Sequence, residues 1–387
     1  MKKLKQKLEY LLKHNAFFNK LICGTLSLII RILGIFIRTN KKAIMFTALN
    51  RGYNDSPKKI YEYLLENNML NDYICYWGLD NPENTEIPGN CKKIKSDTLK
   101  YFLTSLKCKY WVACVNIERG LKYKKRKIIY LNTWHGTPLK TIGNAAAGRK
   151  DYNFSYINYF CSASNYEKEI YVRDFRVKES SIILSGLPRN DELYNVEEQD
   201  IIDIKTKLNI PLEKKVILYA PTWRDSTDKG KTYAIKPPMD LKYWKEKLSD
   251  EYVVLFRAHH YTTKLLDVTF DEFIMDCSKY NHINDLLKVA DILISDYSAT
   301  IFDYSILEKP IICFGYDYEE YSKSRGLYLD LNYELPSKVL HTEEEVIEKI
   351  ININYQEECI LTKKFKNKYL EYGGNATKEC IEKLFTK

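Results

Sequence analysis

Along most of the chain, short apolar runs rich in β-branched residues alternate with stretches whose apolar residues recur at helical spacing. Such runs predict buried strands, and their alternation with helices is typical of parallel sheets covered on both faces. The strands predicted in the first half of the chain are Ala43–Ala48, Tyr73–Gly78, Tyr110–Val115, Lys127–Leu131, Tyr159–Ser162 and Ser181–Leu184. The helices predicted between them include Pro57–Glu66 and Thr98–Lys107.

The second half of the chain repeats this scheme after a polar connection near residues 191–215. Its predicted strands are Val216–Ala220, Val253–Arg257, Phe273–Asp276, Ile292–Ser295 and Ile311–Phe314. Its predicted helices include Leu241–Leu248, Ile283–Val289 and Ala299–Leu307. The sequence therefore predicts an α/β protein of two Rossmann-like, doubly wound domains, residues 43–195 and 196–387. Packing of the last helix back on the first domain is one option. Ligands are expected at the carboxyl ends of the strands, which face the cleft.

The first 42 residues differ from the rest in charge. They hold ten Lys or Arg and one acid, so the net charge of +9 of the whole chain resides there and the remainder is neutral. A neutral body argues against a nucleic-acid partner. The longest uncharged run, Leu21–Ile30, has ten residues, whereas a bilayer span needs about 20. No small-residue cleavage site follows, so a signal peptide is not expected.

Residues 1–42 are therefore predicted to form a basic amphipathic segment that lies on an anionic membrane surface. The alternative is a helix packed on the protein's own core.

Composition narrows the class of protein. Hydrophobic residues make up 45% of the 387 residues and charged residues 29%, which predicts packed cores and excludes a disordered or fibrous chain. Ten scattered cysteines without a CxxC pattern predict reduced thiols and no metal site. The chain has neither a GxGxxG after a strand nor a GxxxxGK[ST] motif, which disfavours a dinucleotide dehydrogenase and a P-loop NTPase.

The first candidate for chemistry is the run from Tyr130 to Lys140, where an apolar strand leads directly into His135. This placement puts an imidazole at a strand end beside Gly136, Thr137 and the cation of Lys140. A base of near-neutral pKa suits the deprotonation of an alcohol. The alternative is a histidine that only caps the strand and holds a loop.

A second strand ends in Arg257 and His259, which point to the same side at period two. Arginine offers a bidentate fork to a phosphate, so the pair suits a phosphate or a pyrophosphate. A salt bridge on the domain surface is the alternative. His260 points the other way and is the weaker candidate.

A third strand ends at Asp296, and Ser298 and Thr300 then open a predicted helix. Free N–H groups at a helix start, together with two hydroxyls, can cradle an anion, although an ordinary N-cap has the same pattern. Two further residues, Arg189 and Arg224, lie just past strands, where a cleft contact and a solvent-exposed loop charge are the alternatives. The combined site is basic and hydroxyl-rich, with two histidines and no metal triad. It predicts a phosphorylated ligand and a metal-independent transfer to an alcohol.

At this point the sequence resembles the CDP-glycerol glycerophosphotransferase family of teichoic acid and capsule synthesis. The resemblance covers nearly all of residues 43–375. The matching segments are NDSPK at 54–58, WHGTPLK at 134–140, GLPRND at 186–191, APTWRD at 220–225, RAH at 257–259, SDYSATIFDY at 295–304, GLY at 326–328 and the glycines at 373–374.

The resemblance implies a glycosyltransferase-B-like fold with an acceptor-side first domain and a CDP-donor-binding second domain. It implies that His135 and His259 are catalytic. The residues implied to bind nucleotide or pyrophosphate are Thr222, Arg224, Arg257, Asp296, Ser298 and Thr300. Gly136, Thr137, Lys140 and Arg189 complete the predicted substrate-binding set. The His259–His260 doublet departs from the family, which more often has one histidine there.

The activity expected from the resemblance is transfer of glycerol phosphate from CDP-glycerol to a lipid-linked, undecaprenyl-diphosphate saccharide, with release of CMP. The chain length resembles the short primases of the family. A polymerase, a ribitol-phosphate transferase, a nucleotide-sugar glycosyltransferase or epimerase, and a non-catalytic scaffold are the alternatives. No cofactor and no metal are expected. The expected location is peripheral, on the cytoplasmic face of the cell membrane, and the oligomeric state is not predicted.

Overall fold

A computed structural model describes residues 16–147, 152–222, 238–258 and 270–385, with side chains from residue 20 onward. In these residues the chain forms an α/β fold with two parallel sheets. The first sheet has seven strands in the order β3-β2-β1-β4-β5-β6-β7. Its strands are β1 (Asn40–Thr47), β2 (Ile74–Leu79), β3 (Cys91–Lys95), β4 (Cys108–Ala113), β5 (Ile129–Asn132), β6 (Tyr159–Ser162) and β7 (Ile182–Leu184).

The second sheet has six strands in the order β10-β9-β8-β11-β12-β13. Its strands are β8 (Lys215–Ala220), β9 (Tyr252–Phe256), β10 (Ile274–Asp276), β11 (Ile292–Ser295), β12 (Ile311–Phe314) and β13 (Val339–Leu340). Every strand pair in both sheets is parallel, as the uninterrupted apolar runs predict. The predicted domain boundary at residues 195 and 196 falls between the two sheets and stays a prediction.

Helices cover both faces of the sheets. Those of the first part of the chain are α1 (Ala16–Ile35), α2 (Asp55–Glu66), α3 (Leu99–Lys107), α4 (Asn165–Asp174) and α5 (Glu198–Lys207). Those of the second part are α6 (Leu241–Leu248), α7 (Ile283–Val289), α8 (Thr300–Ser305), α9 (Tyr318–Arg325), α10 (Leu331–Glu334), α11 (Glu343–Ile351), α12 (Tyr355–Tyr369) and α13 (Ala376–Phe385). None of the helices in the described ranges is both long and apolar enough to span a bilayer.

Two strands are absent from the sequence prediction. In β3 only Ile94 is buried, and the strand lies at the edge of its sheet, so its sequence CKKIK lacks the apolar run of a central strand. The strand β13 has only two residues and lies at the edge of the other sheet. Edge strands carry a weak sequence signal because one side of each faces solvent.

The last helix packs on the first sheet. Cys380, Ile381 and Leu384 of α13 belong to the apolar cluster that contains Ile44 of β1 and Trp77 of β2. The chain reaches this position after α12, which packs with α8 beside the second sheet. The C-terminal residues therefore bind the two halves of the molecule together.

Two of the family-like glycine segments make close backbone contacts. Gly186 has φ +83°, and a Cβ there would lie 2.7 Å from the Tyr372 carbonyl and 2.8 Å from Gly373 Cα. Only glycine fits this position, since a side chain would be strained and would collide with backbone. Segment 139–141 pairs with segment 326–328, where the Thr141 amide donates to the Gly326 carbonyl at 3.1 Å. These contacts hold the GLPRND and WHGTPLK loops against the second half of the chain.

Candidate active site

The carboxyl ends of the two sheets meet, because loops from each touch across the cleft. A Cβ on Gly136, after β5, would lie 3.0 Å from Cβ of Ala299 at the start of α8 and 3.5 Å from Nη2 of Arg189. Gly136 has φ +144°, which side chains rarely adopt. A glycine is therefore required here both for backbone conformation and for space.

His135 follows β5 and is half-buried at this junction. Its Nδ1 lies 2.8 Å from the carbonyl oxygen of Cys114, which can only accept, so Nδ1 carries the proton and Nε2 carries the lone pair. Burial lowers the pKa of His135 below its ordinary value of 6.5, against the opposing effects of the Cys114 hydrogen bond and the Asp55 charge. The imidazole is therefore neutral at pH 7 and able to accept a proton.

The ring of His135 is fixed by its neighbour. The Trp134 ring lies over it with centroids 4.1 Å apart, and Trp134 also packs on Phe175 at 4.5 Å. Trp134 adopts a left-handed φ of 54°, which is uncommon for a bulky side chain. Such conformations persist where the surrounding packing holds them, and they cluster at functional sites.

Thr137 is buried, and its hydroxyl donates to the Glu167 carboxylate at 2.5 Å. The other oxygen of Glu167 accepts from the Ala163 amide at 2.6 Å. Sequence reasoning missed Glu167, although the Ser164-x-x-Glu167 spacing is the signal of a helix N-terminus. Burial raises the pKa of Glu167 to about 7, with its hydrogen bonds to Thr137 and Ala163 acting in the opposite direction. Glu167 thus anchors the WHGTPLK loop to the start of α4 through its hydrogen bond with Thr137.

Because the native pKa of Glu167 exceeds the ordinary value of 4.5, the folded protein binds this proton more tightly than the unfolded chain. Its contribution to stability is present below pH 4.5 and is lost as the pH rises to about 7. We expect Glu167→Gln, which resembles the protonated form, to gain stability relative to the unmodified protein by about 1–3 kcal/mol over this range. Urea unfolding at several pH values measures the difference.

The matched control is Glu345→Gln, since Glu345 occupies the same N3 position of α11. Backbone hydrogen bonds from His341 and Thr342 lower the pKa of Glu345, so its replacement has the opposite dependence on pH. A stability difference between Glu167→Gln and the unmodified protein that stays constant with pH would contradict the raised pKa of Glu167.

Arg189 lies in a buried ion triplet that joins the two halves of the molecule. Its Nη1 lies 3.0 Å from the Asp55 carboxylate and its Nη2 lies 2.6 Å from the Asp303 carboxylate. The exposed fractions of these side chains are 15% for Arg189, 5% for Asp55 and 10% for Asp303. Asn190 donates to the other oxygen of Asp303 at 2.7 Å. The predicted substrate contact of Arg189 stays a prediction, and the guanidinium serves first as a bridge beside His135.

In the second half of the chain, Asp296 organises the loops at the carboxyl end of the second sheet. Its carboxylate accepts from the amides of Thr222 at 2.8 Å and Tyr297 at 2.6 Å, which joins the ends of β8 and β11. The Ser298 hydroxyl donates to the Thr300 hydroxyl at 2.9 Å and accepts from the Thr300 amide at 3.2 Å. The structure thus pairs Asp296 with Thr222 and Ser298 with Thr300, and Ala299, between Ser298 and Thr300, lies against Gly136.

Arg257 follows β9, and its Nη1 donates to the carbonyls of Cys277 at 3.2 Å and Tyr280 at 2.5 Å. His259 and Arg224 lie outside the described residues, so their predicted roles rest on the sequence. Lys140 is half-buried and forms an isolated antiparallel bridge with Leu327. The substrate-binding roles of Lys140 and Arg257 stay predictions.

Within the described ranges, no group of three or more His, Cys, Asp or Glu side chains is placed to hold a metal ion. The ten cysteines all lie in these ranges and are thiols rather than disulfides. Two parallel sheets, a neutral histidine at their junction and a hydroxyl-rich helix start opposite it define the class of the protein, an α/β enzyme with a cleft for a polar substrate.

Residues 30–386 match the family described as CDP-glycerol:poly(glycerophosphate) glycerophosphotransferase. The chain belongs to this transferase family, as the resemblance of its motifs predicts. It is 36% identical to a teichoic acid poly(glycerol phosphate) polymerase of Staphylococcus epidermidis, over 77% of this chain but only 44% of that protein. It is 34% identical to a teichoic acid glycerol-phosphate transferase of Staphylococcus aureus, over 81% and 85% of the two chains.

A relative of similar length is a poly(glycerol phosphate) polymerase of Bacillus spizizenii, 33% identical over 95% of this chain and 98% of that protein. The solved wall teichoic acid polymerase TagF is similar in structure, with a TM-score of 0.82 for one variant, 29% identity, and coverage of 95% and 97% of the two chains. A TagF variant soaked with CDPG has the same TM-score at 28% identity. A UDP-GlcNAc 2-epimerase from Neisseria meningitidis shares only the fold, at 14% identity and a TM-score of 0.55.

Proposed function

We propose that this protein transfers glycerol phosphate from CDP-glycerol to a hydroxyl of an undecaprenyl-diphosphate-linked saccharide and releases CMP, in the synthesis of a teichoic acid or capsule-type polymer. The observation that carries the proposal is His135, a neutral imidazole whose Nε2 lone pair is defined by the bond from Nδ1 to Cys114. Membership of the family supplies the donor class. The two sheets suggest the two Rossmann-like domains of a glycosyltransferase-B-like fold.

In the proposed reaction, Nε2 of His135 takes the proton of the acceptor hydroxyl. The hydroxyl oxygen of the acceptor attacks the β-phosphorus of CDP-glycerol at the same time. A new P–O bond forms to the acceptor, and the bond from the β-phosphorus to the bridging oxygen breaks. The electron pair leaves with CMP. The Ser298–Thr300 helix start faces the same junction, where it can stabilise charge on the phosphates, with Arg257 and His259 as the further predicted contacts.

The test combines purified protein, the lipid-linked disaccharide, and CDP-glycerol or CDP-ribitol in parallel. CMP release and the mass of the lipid product are followed. Turnover with CDP-glycerol supports the proposal, turnover only with CDP-ribitol changes the polyol, and the absence of CMP with either donor rejects it. One added unit identifies a primase, and a ladder of additions identifies a polymerase.

The same reaction could make the protein a primase or a polymerase. A polymerase is the second candidate, and the length of one relative supports it. Short length indicates a primase only if polymerases are longer, yet the Bacillus spizizenii polymerase matches this chain over 98% of its own length. The glycerol-phosphate primase of Bacillus subtilis is 29% identical over 67% of this chain. The acceptor would then already carry a glycerol phosphate unit.

We further propose that α1 lies on the membrane. Its exposed apolar side chains, together with the adjoining Phe36, form one surface, comprising Leu21, Leu26, Leu28, Ile29, Ile32, Leu33, Ile35 and Phe36. The opposite side packs on the protein through Ile30 and Cys23. Residues 1–15 lie outside the described residues. An exposed apolar helix beside basic groups is typical of interfacial binding.

A basic loop, residues 122–127 with the sequence KYKKRK, lies beside α1. The Lys122 amide donates to Ser27 Oγ at 2.9 Å, and Lys125 Nζ donates to the Ile37 carbonyl at 2.5 Å. The loop thus contacts α1 through Lys122 and the chain that follows α1 through Lys125, and it carries five cations in a part of the chain that is neutral overall. Their position supports binding to anionic headgroups.

We expect Arg126→Ala/Lys127→Ala to weaken binding to anionic vesicles about 10- to 30-fold, because each cation near the surface contributes about 1 kcal/mol. Flotation with phosphatidylglycerol vesicles at low salt measures the change. The control is Lys242→Ala/Lys247→Ala, which removes two exposed cations from α6. Equal loss of flotation in both variants would reject a role for the basic loop.

A further inference from the structure

We propose that Arg51 and Arg119 form a binding site for a phosphate ester of the acceptor, separate from the donor site. The identity of the acceptor rests on the proposed function above. The site consists of Arg51, Asp97 and Arg119, three side chains from three loops at the carboxyl end of the first sheet. None of them belongs to the predicted catalytic or substrate-binding residues.

The two guanidinium groups share one carboxylate. Arg119 Nε lies 3.1 Å from Asp97 Oδ1, and Arg51 Nη2 pairs with Asp97 Oδ2. The side chains remain open to solvent, with exposed fractions of 40% for Arg51, 40% for Asp97 and 21% for Arg119. Among the described residues, the buried Nε of Arg51 has no hydrogen-bond partner. Two guanidinium groups on one carboxylate leave a surplus positive charge and further N–H groups that Asp97 does not engage.

The backbone at this site is in a rare conformation. Asn50, Arg51, Asp97 and Arg119 have left-handed φ values of 51°, 55°, 60° and 53°. Arginine has no side-chain hydrogen bond that eases this conformation, so it carries a cost. Left-handed residues collected at the carboxyl ends of strands favour a functional role for this group of residues.

Neighbouring carboxylates do not neutralise the surplus positive charge of the two arginines. The Asp80 carboxylate is paired with Lys95 at 3.0 Å. The Glu118 carboxylate is directed away, since it accepts from the amides of Tyr123 and Lys124, and burial raises its pKa. The site therefore keeps a net charge of about +1, and a guanidinium fork matches the geometry of a phosphate oxygen pair.

The site lies close to His135. Arg119 Nη2 is 3.5 Å from Thr47 Oγ1 at the end of β1, and Thr47 is in register with Ala113 at the end of β4. The Ala113 carbonyl accepts from the Thr133 amide at 2.8 Å, two residues before His135. Adjacent strands lie about 4.8 Å apart, so roughly 10 Å separates Thr47, which Arg119 contacts, from the end of β5, which leads into His135. An acceptor hydroxyl at His135 would place a nearby phosphate ester at the arginines.

The phosphate has two possible sources in the acceptor, the lipid diphosphate and a glycerol phosphate already added. Arg119 precedes Lys122 by three residues, and Lys122 contacts α1 through Ser27 and through the side chain of Arg31. The loop that carries Arg119 therefore continues to the helix that we propose to lie on the membrane, where a lipid diphosphate is located. A phosphodiester at the growing end presents the same oxygens.

The experiment compares acceptor KM, donor KM and kcat for Arg51→Gln, Arg119→Gln and Asp97→Asn. Charge-assisted hydrogen bonds to phosphate are lost in the arginine variants, so we expect acceptor KM to rise about 10- to 100-fold in each. Donor KM and kcat at saturating acceptor should change less than about 2-fold if the arginines bind the acceptor equally in ground and transition states. Arg51→Lys and Arg119→Lys should recover part of the acceptor affinity.

Asp97→Asn separates binding from a structural role. Asparagine tolerates the left-handed φ, and its uncharged amide leaves both arginines uncompensated, so acceptor KM should fall. If the triplet only holds the loops together, Asp97→Asn should instead raise acceptor KM or lower stability, and that result overturns the proposal. Arg173→Gln is the control, since Arg173 is also paired with an aspartate but lies at the end of α4 rather than in the loops after β1, β3 and β4.

Two acceptors distinguish the source of the phosphate. One is the saccharide on a diphosphate lipid, and the other is a glycerol-phosphate-terminated saccharide on a neutral alkyl anchor. A KM effect confined to the first assigns the site to the lipid diphosphate, and one confined to the second assigns it to the phosphodiester. Unchanged KM with both acceptors overturns the inference while leaving the proposed function intact. Failure of the unmodified protein to release CMP is the separate failure of the proposed function.

Discussion

Replacing His135 with alanine is expected to lower kcat about 10²- to 10⁴-fold, the usual contribution of a positioned general base. The unmodified protein should show an acidic limb in kcat/KM below 6.5, because burial lowers the pKa of His135 from that value. Activity should rise as the pH rises through this limb, since only the neutral imidazole accepts the proton. The limb should be absent in His135→Ala. Steady-state CMP release between pH 4.5 and 8 measures both effects.

The matched control is His341→Ala. His341 also has its Nδ1 near a backbone carbonyl, that of Gly315 at 3.2 Å, but it follows the edge strand β13. We expect the kcat of His341→Ala to stay within about 2-fold of that of the unmodified protein. Activity of His135→Ala within 10-fold of the unmodified protein would remove the base assignment and direct attention to His259.

The second large effect is expected from Arg189→Met, which removes the centre of the ion triplet and leaves Asp55 and Asp303 buried without their partner. Breaking a buried ion pair in this way costs about 3–5 kcal/mol. The triple variant Arg189→Met/Asp55→Asn/Asp303→Asn should recover most of the stability, because it removes the buried charges as well. Urea midpoints of the three proteins measure this, with CMP release followed in parallel.

Lys215→Met is the control for the loss of an exposed ion pair, since the side chains of Lys215 and its partner Glu251 are 57% and 66% exposed and such pairs contribute about 0–1 kcal/mol. If Arg189→Met were as stable as this control, the triplet would not hold the halves together. If the triple variant recovered stability without activity, Arg189 would act on the substrate, as the sequence predicts.

The position of each candidate residue relative to a predicted strand explains whether the sequence alone could predict it. The sequence predicts His135, Asp296, Ser298 and Thr300 because each lies in the loop or helix start that follows a predicted strand, and strand ends define the cleft of a parallel α/β fold. Glu167 was missed because its role depends on Thr137, 30 residues away in sequence and 2.5 Å away in the fold. Its capping spacing indicates a helix start and gives no sign of a contact with the loop of His135.

Arg51 and Arg119 were missed for a related reason. Each lies in a loop, and the residues around it form no motif that predicts binding or catalysis. Their common partner Asp97 lies on a third loop, so the convergence of the three depends on the order of strands in the sheet. The order of strands in a sheet depends on how distant segments pack together, so the local pattern of hydrophobic and polar residues does not predict it.

The sequence by itself determined the α/β class, the positions of eleven of the strands and, through its motifs, the family. These depend on local hydrophobic patterning and on short segments whose residues are contiguous. Only the tertiary structure decided that Arg189 bridges the two halves, that the last helix returns to the first sheet and that the basic loop lies beside α1. Each of these joins residues far apart in the chain, and their proximity follows from how the sheets and helices pack in three dimensions.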